Sequence, residues 1–172
     1  MDWAFQFTAQ YLWCQANFHI RVELKIGLKR RTMYRLIYKS RSILVEVTEE
    51  TLKEILEAST DLNRKFEITG ALIATRTHFL QVLEGNFKDL NRTFFRIASD
   101  PRHEELELVS FGPVAHRLFE GWVMKGFGIV DVDPGLDTSL KNKFGVEEGG
   151  VRLPTQEWAA LSLMHDVGVI VQ

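Results

Sequence analysis

The sequence predicts an α+β domain ordered β-α-β-β-α-β-β. This is a ferredoxin-like sheet with two helices on one face and C-terminal helices on the other. Three observations predict it. Short apolar runs of strand character occur at 33–38, 71–74, 78–83, 106–111 and 116–130. After the first and third of these, apolar residues recur at helical spacing instead. The second and third runs are separated by only Thr75, Arg76 and Thr77, the connection of a hairpin.

Each element has its own signal. Met33 opens an apolar first strand that reaches Tyr38. Thr48 is placed to cap the first helix, because its hydroxyl can accept from an orphan N–H of the first turn, where Thr51 follows. Leu52, Ile55, Leu56 and Ser59 then recur at helical spacing and carry the helix to about Leu62. Gly70 begins the second strand, and Gly85 ends the third. Leu90, Phe94, Ile97 and Ala98 mark the apolar face of a second helix, from Phe87 to about Ser99, which Pro101 stops. Two further strands, 106–111 and 116–130, are divided by Gly112-Pro113. Beyond Pro134 come an apolar-rich segment at 136–144, a break at Gly149-Gly150, and a helix from Pro154 through Trp158, Leu161 and Met164. This tail is expected on the free face of the sheet.

The chain divides into an N-terminal extension, 1–32, a main domain, 33–132, and a C-terminal helical extension, 133–172. Residues 18–26 alternate strictly between apolar and polar, as a strand would. The extension is read either as an upstream segment foreign to the fold or as an added strand or cap.

Composition narrows the function. With 172 residues, 45% hydrophobic and 26% charged, the chain has the make-up of a soluble globular domain. A net charge of −2 gives no basis for nonspecific nucleic-acid binding. The charge is uneven, about +3 over residues 1–32 and −5 over the rest. The single cysteine, Cys14, cannot form an internal disulfide, which fits a reducing compartment. No apolar run approaches the ~18–20 residues of a membrane helix, and no secretory signal opens the chain. A cytoplasmic location is expected. His19, His78, His103, His116 and His165 show no paired ligand spacing, so no metal site is expected. No phosphate-binding glycine loop is present, and Gly126-Phe127-Gly128 falls within a strand-like run.

One residue breaks the apolar pattern. Gln81 stands inside Phe79-Leu80-Gln81-Val82-Leu83-Glu84-Gly85, after Ile68-Thr69-Gly70. An unpaired buried polar group costs about 1–3 kcal/mol, so a buried amide needs partners at both ends. Its oxygen accepts and its nitrogen donates. Gln81 is therefore either a pinned structural amide or a reader of something polar in the core.

The surrounding residues bear on this choice. Tyr34-Arg35-Leu36-Ile37-Tyr38-Lys39-Ser40 comes first, then Ser59 and Asn63, then the glutamine strand. Asp100-Pro101-Arg102-His103 closes the second helix, and Phe119-Glu120-Gly121-Trp122-Val123-Met124 lies in the late run. In order and spacing this set resembles the BLUF family, flavin-binding sensors of blue light. The resemblance covers about 33–132. It lies in the ordered set, since no one motif is decisive.

The resemblance implies FAD as cofactor, held in a slot between the two helices and the sheet. Ile55 and Ile97 are placed to grip a flat ring, as ordinary core residues would also be. Tyr38 and Gln81 are implied to be hydrogen-bonded neighbours, the phenol as electron and proton donor and the amide as switch. Asn63 matches the family's ring-binding asparagine, though Asn also favours helix C-caps. Ser59 lies one turn earlier on the same face. Asp100, Arg102 and His103 match a polar cluster beside the ring, with Arg96 nearby. Trp122 and Met124 share a strand face and are implied to carry the signal. Glu67, Asp61 and Leu62 depart from the family's usual residues at the pocket rim.

The implied protein is a photoreceptor without an attached enzyme. It is expected to signal through contacts with a downstream regulatory protein and to form a homo-oligomer, with no nucleic-acid or membrane partner. The sheet face under the C-terminal helices, including Trp158, is the expected output surface. A light-insensitive interaction module of the same fold and a small flavin redox enzyme remain alternatives.

Overall fold

The computed structural model describes residues 32–44, 47–121, 123–128 and 133–168. The extension at 1–31 therefore lies outside the described residues. The elements run β1 (Met33–Ser42), α1 (Glu49–Lys65), β2 (Thr69–Ala74), β3 (His78–Asn86), α2 (Phe87–Ala98), β4 (His103–Val114) and β5 (Lys125–Gly128). Then follow α3 (Pro134–Phe144), β6 (Val146–Glu147), β7 (Gly150–Val151) and α4 (Glu157–Asp166). The main sheet has the order β4-β1-β3-β2-β5. Both β-α-β units are split, so β3 lies between β1 and β2, and β1 between β3 and β4, each antiparallel to its neighbours. Strand β5 is added in parallel to β2 at the far edge. This is the ferredoxin-like arrangement with a fifth strand.

Caps start the two helices of the first face. Thr48 accepts from the Thr51 amide, and Asn86 accepts from the Asp89 amide. Helix α1 runs to Lys65 with Phe66 as its C-cap, so Asn63 is inside the last turn and is not the cap.

Side-chain alternation divides the sheet into two environments. Ile37, Leu80, Val82, Ala71 and Ile73 point to one face. There they form a core with Leu140 of α3, Val151 and Leu153 around the β6–β7 hairpin, and Ala160, Leu163 and Met164 of α4. The C-terminal elements thus cover the free face. Trp158 departs from the expectation, since it is 72% exposed and turned away from the sheet. Lys39 and Arg41 of β1 reach Glu147 and Glu148 at the hairpin tip, at 2.7 and 2.5 Å.

Two features of β4 and β5 differ from the sequence reading. Strand β4 runs through Gly112-Pro113, which is possible because it is an edge strand. The run 116–130 is not one strand, and among its described residues only Lys125–Gly128 joins the sheet. The preceding segment is turned by a polar anchor. The Glu84 carboxylate accepts from the backbone N–H groups of Leu118 and Phe119, and Phe119 is buried. Arg117 adds bonds to Thr69 Oγ1 and to the carbonyls of Glu84 and Glu67. Glu67 itself adopts φ 52°, a left-handed conformation that favours glycine.

Gly126 lets α1 lie directly on β5. A Cβ there would come within 2.2 Å of Leu56 Cδ1.

Candidate functional site

On the other face of the sheet, α1 and α2 stand over β1, β3 and β2 and leave a cavity of about 200 Å³ between them. An apolar cavity of about 150 Å³ accepts a benzene ring, so this space has room for a flat aromatic group. Its floor is Tyr38, Gln81, Phe79, Leu83 and Leu72. Ile55, Ser59 and Asn63 line it from α1, Thr93, Arg96 and Ile97 from α2, and Asp100, Arg102 and His103 from the turn after α2 and the start of β4. The ten residues singled out in the sequence as ring-binding all line this one cavity.

Register explains the central pair. Tyr38 and Gln81 are directly opposite partners on β1 and β3, and Leu72 is opposite Gln81 on β2. Strand β1 slips register against β4 between Ile37 and Tyr38, a bulge of the kind that re-aims side chains beside sites. The Tyr38 hydroxyl donates to Gln81 Oε1 at 2.6 Å. Gln81 Nε2 donates to the Met124 sulfur at 3.5 Å. A glutamine buried in the sheet is thus held between a phenol and a thioether. Burial, reinforced by the Asp100 charge, pushes the Tyr38 hydroxyl well above its ordinary pKa, so it remains a neutral donor at physiological pH. Trp122, the other residue assigned to signalling, lies outside the described residues.

The polar rim is mostly self-satisfied. Asp100 accepts from the Arg102 backbone N–H and forms a two-pronged ion pair with its guanidinium. Those Arg102 hydrogen bonds hold the Asp100 carboxyl down at about 2. His103 Nε2 bonds the Ile97 carbonyl and Nδ1 bonds Ser40 Oγ, both at 2.8 Å. Since the carbonyl can only accept, Nε2 carries a proton. Both nitrogens are committed to protein, so His103 offers the cavity its ring. Ser59 donates back to the Leu56 carbonyl. Arg96 is exposed at the mouth.

Two atoms stand apart. Asn63 Nδ2 and Thr93 Oγ1 are buried without a hydrogen-bond partner. Both residues line the cavity.

The profile of the BLUF family, sensors of blue light using FAD, matches residues 33–125. The chain belongs to the BLUF family. The matched segment is a photosensory module rather than a catalytic one. Photoactivated adenylate cyclase beta subunits of Euglena longa and Euglena gracilis are 34% and 36% identical to it over 109 and 92 residues, 62% and 53% of the chain. The matched stretches are 13% and 11% of those relatives' length. Among solved structures, the BLUF protein BlrB in its dark state is 25% identical with a TM-score of 0.63, covering 80% of this chain and 95% of BlrB. The ground state of BlsA has a TM-score of 0.66 at 21% identity, over 81% of this chain and 90% of BlsA, a likeness of fold. Among the described residues no helix is long and apolar enough to cross a membrane.

Sequence reasoning missed several wall residues of this BLUF domain. Leu72, Phe79 and Leu83 were legible as core, and alternation from Gln81 would have placed the last two beside it. Thr93 had a signal too. It is the polar residue on the apolar face marked by Leu90 and Ile97.

Proposed function

We propose that this protein is a blue-light photoreceptor that holds FAD by its isoalloxazine ring in the cavity between α1, α2 and the sheet. The observation that carries the proposal is the chain from the Tyr38 hydroxyl through the Gln81 amide to the Met124 sulfur at the cavity wall. The residues present suit a flat, polar-edged ring. Apolar side chains of both helices face the cavity, and the buried Asn63 amide lacks a partner within the protein. The family's description points to FAD.

A bound flavin, excited by blue light, would supply an oxidant close to the phenol. Tyr38 is placed to donate an electron to it and take it back in the dark, and its hydroxyl proton lies on the hydrogen bond to Gln81 Oε1, along which it could shift and return. Gln81 is the switch because its two ends have opposite hydrogen-bond character. Rotation or tautomerisation changes which group it presents to the cavity. The same change loosens its bond to Met124, one residue before β5. Asn63, Ile55 and Ile97 hold the ring while Asp100, Arg102 and His103 fix the turn beside it. Met124 then carries the change to β5 and to contacts with a downstream regulatory protein or a second copy of the chain. A cytoplasmic location belongs to the same proposal.

The test is an absorption spectrum of the purified protein before and after blue light, with the flavin extracted and identified. A flavin spectrum with a small, reversible red shift is expected. A colourless protein would leave an interaction module, and a flavin reduced and reoxidised by a substrate in the dark would indicate a redox enzyme.

A further inference from the structure

Thr93 lies on α2 between Leu90 and Ile97, and it is only 3% exposed. A threonine in a helix normally satisfies its hydroxyl by bonding back to the carbonyl one turn earlier. Other helical hydroxyls show this. Thr60 donates to the Leu56 carbonyl, Thr138 to the Pro134 carbonyl, and Ser99, capping α2, to the Phe95 carbonyl. Thr93 Oγ1 makes no such bond and has no other protein partner, although it is buried and its residue lines the cavity. Leaving a buried hydroxyl unpaired is costly, and a valine would fill the same volume without that cost. An unpaired hydroxyl at a cavity wall is explained if the bond is made to what the cavity holds.

We propose that Thr93 is a ligand-binding residue, its hydroxyl hydrogen-bonding a polar atom of the ring seated between α1 and α2. Together with Asn63 it sets a requirement for ring systems that carry heteroatoms where the two helices face them. This deepens the flavin-sensor function and rests on it.

The experiment compares wild type, Thr93→Val and Thr93→Ser, each stripped of flavin and titrated with FAD and with riboflavin. Melting temperatures are recorded with and without FAD. Thr93→Val is expected to bind both flavins roughly tenfold more weakly, the loss of one neutral hydrogen bond. Its flavin-free form should melt at or above the wild-type temperature, because a buried unpaired hydroxyl has been removed. Thr93→Ser keeps the hydroxyl and should bind within about twofold of wild type, while its flavin-free form melts lower for want of the methyl group. Equal FAD and riboflavin affinity in wild type and Thr93→Val would overturn the assignment. So would a flavin-free Thr93→Val protein that melts well below wild type, since the hydroxyl would then have a structural partner. If wild type itself takes up no flavin, the sensor function fails and Thr93 loses its ligand with it. If wild type binds and the valine variant binds as well, only the role of Thr93 fails.

Discussion

Gln81 and Glu84 lie three residues apart on β3 and point to opposite faces of the sheet. Both are buried and polar. Glu84, at 0% exposure, is satisfied by protein. It takes Nε and Nη2 of Arg35 at 2.8 Å and two backbone N–H groups from Leu118 and Phe119. That face is filled by α3, the β6–β7 hairpin and α4. Around Gln81 the opposite holds. The amide is held by a phenol and a weak sulfur acceptor, a cavity opens above it, and Asn63 and Thr93 keep unpaired atoms there. Buried polarity that serves the fold is satisfied within the chain, whereas buried polarity at the proposed flavin cavity is left open. One strand carries both.

The difference can be broken from either side. The largest effect is expected at Glu84. Glu84→Ala leaves Arg35 with an unpaired buried charge and frees the 117–119 segment, so unfolding in urea should show a loss of about 3–5 kcal/mol. Replacing Arg35 and Glu84 together by Met and Leu should recover much of it; equal loss in the double variant would mean the ion pair itself is not what matters. Next comes Gln81→Leu, which strands the Tyr38 hydroxyl. It should cost roughly 1–3 kcal/mol in the flavin-free protein and abolish the light-induced red shift. A shift that persists would assign the switching bond to another group. Asn63→Leu should behave differently again. With no protein partner to lose, the flavin-free protein should keep its stability to within about 1 kcal/mol, while flavin affinity falls about tenfold.

The smallest effect concerns acid. Arg102 holds the Asp100 carboxyl at about 2, below its value in the unfolded chain. The unfolded state therefore binds the proton more readily, and the pair adds stability above about pH 4 that is lost as pH falls through about 2. Because the pair is partly solvated, its share is below about 1 kcal/mol. Asp100→Asn should flatten the acid limb of the stability profile by that small amount.

The sequence made one face more legible than the other, for physical reasons. Helix periodicity put Ile55, Ser59 and Ile97 on inward helix faces and Gln81 broke an apolar strand, while the family resemblance brought Tyr38 and Asn63 to the same cavity. The Glu84 anchor depends on pairing across 34 and 49 residues, which no local period encodes. That is why 116–130 read as one strand, although its first part is pulled into turns and only four of its described residues join the sheet. The two-residue strands β6 and β7 are too short for a period to show, so they read as a glycine-rich break. Trp158 was grouped with the sheet face under the C-terminal helices, yet Ala159, Ala160, Leu163 and Met164 take the buried side of α4.

The most direct measurement is the light-minus-dark absorption spectrum of wild type beside that of Tyr38→Phe, both loaded with FAD to the same occupancy. A reversible red shift in wild type and none in the variant is the predicted result. A normal red shift in Tyr38→Phe would contradict the role given to the Tyr38–Gln81 hydrogen bond.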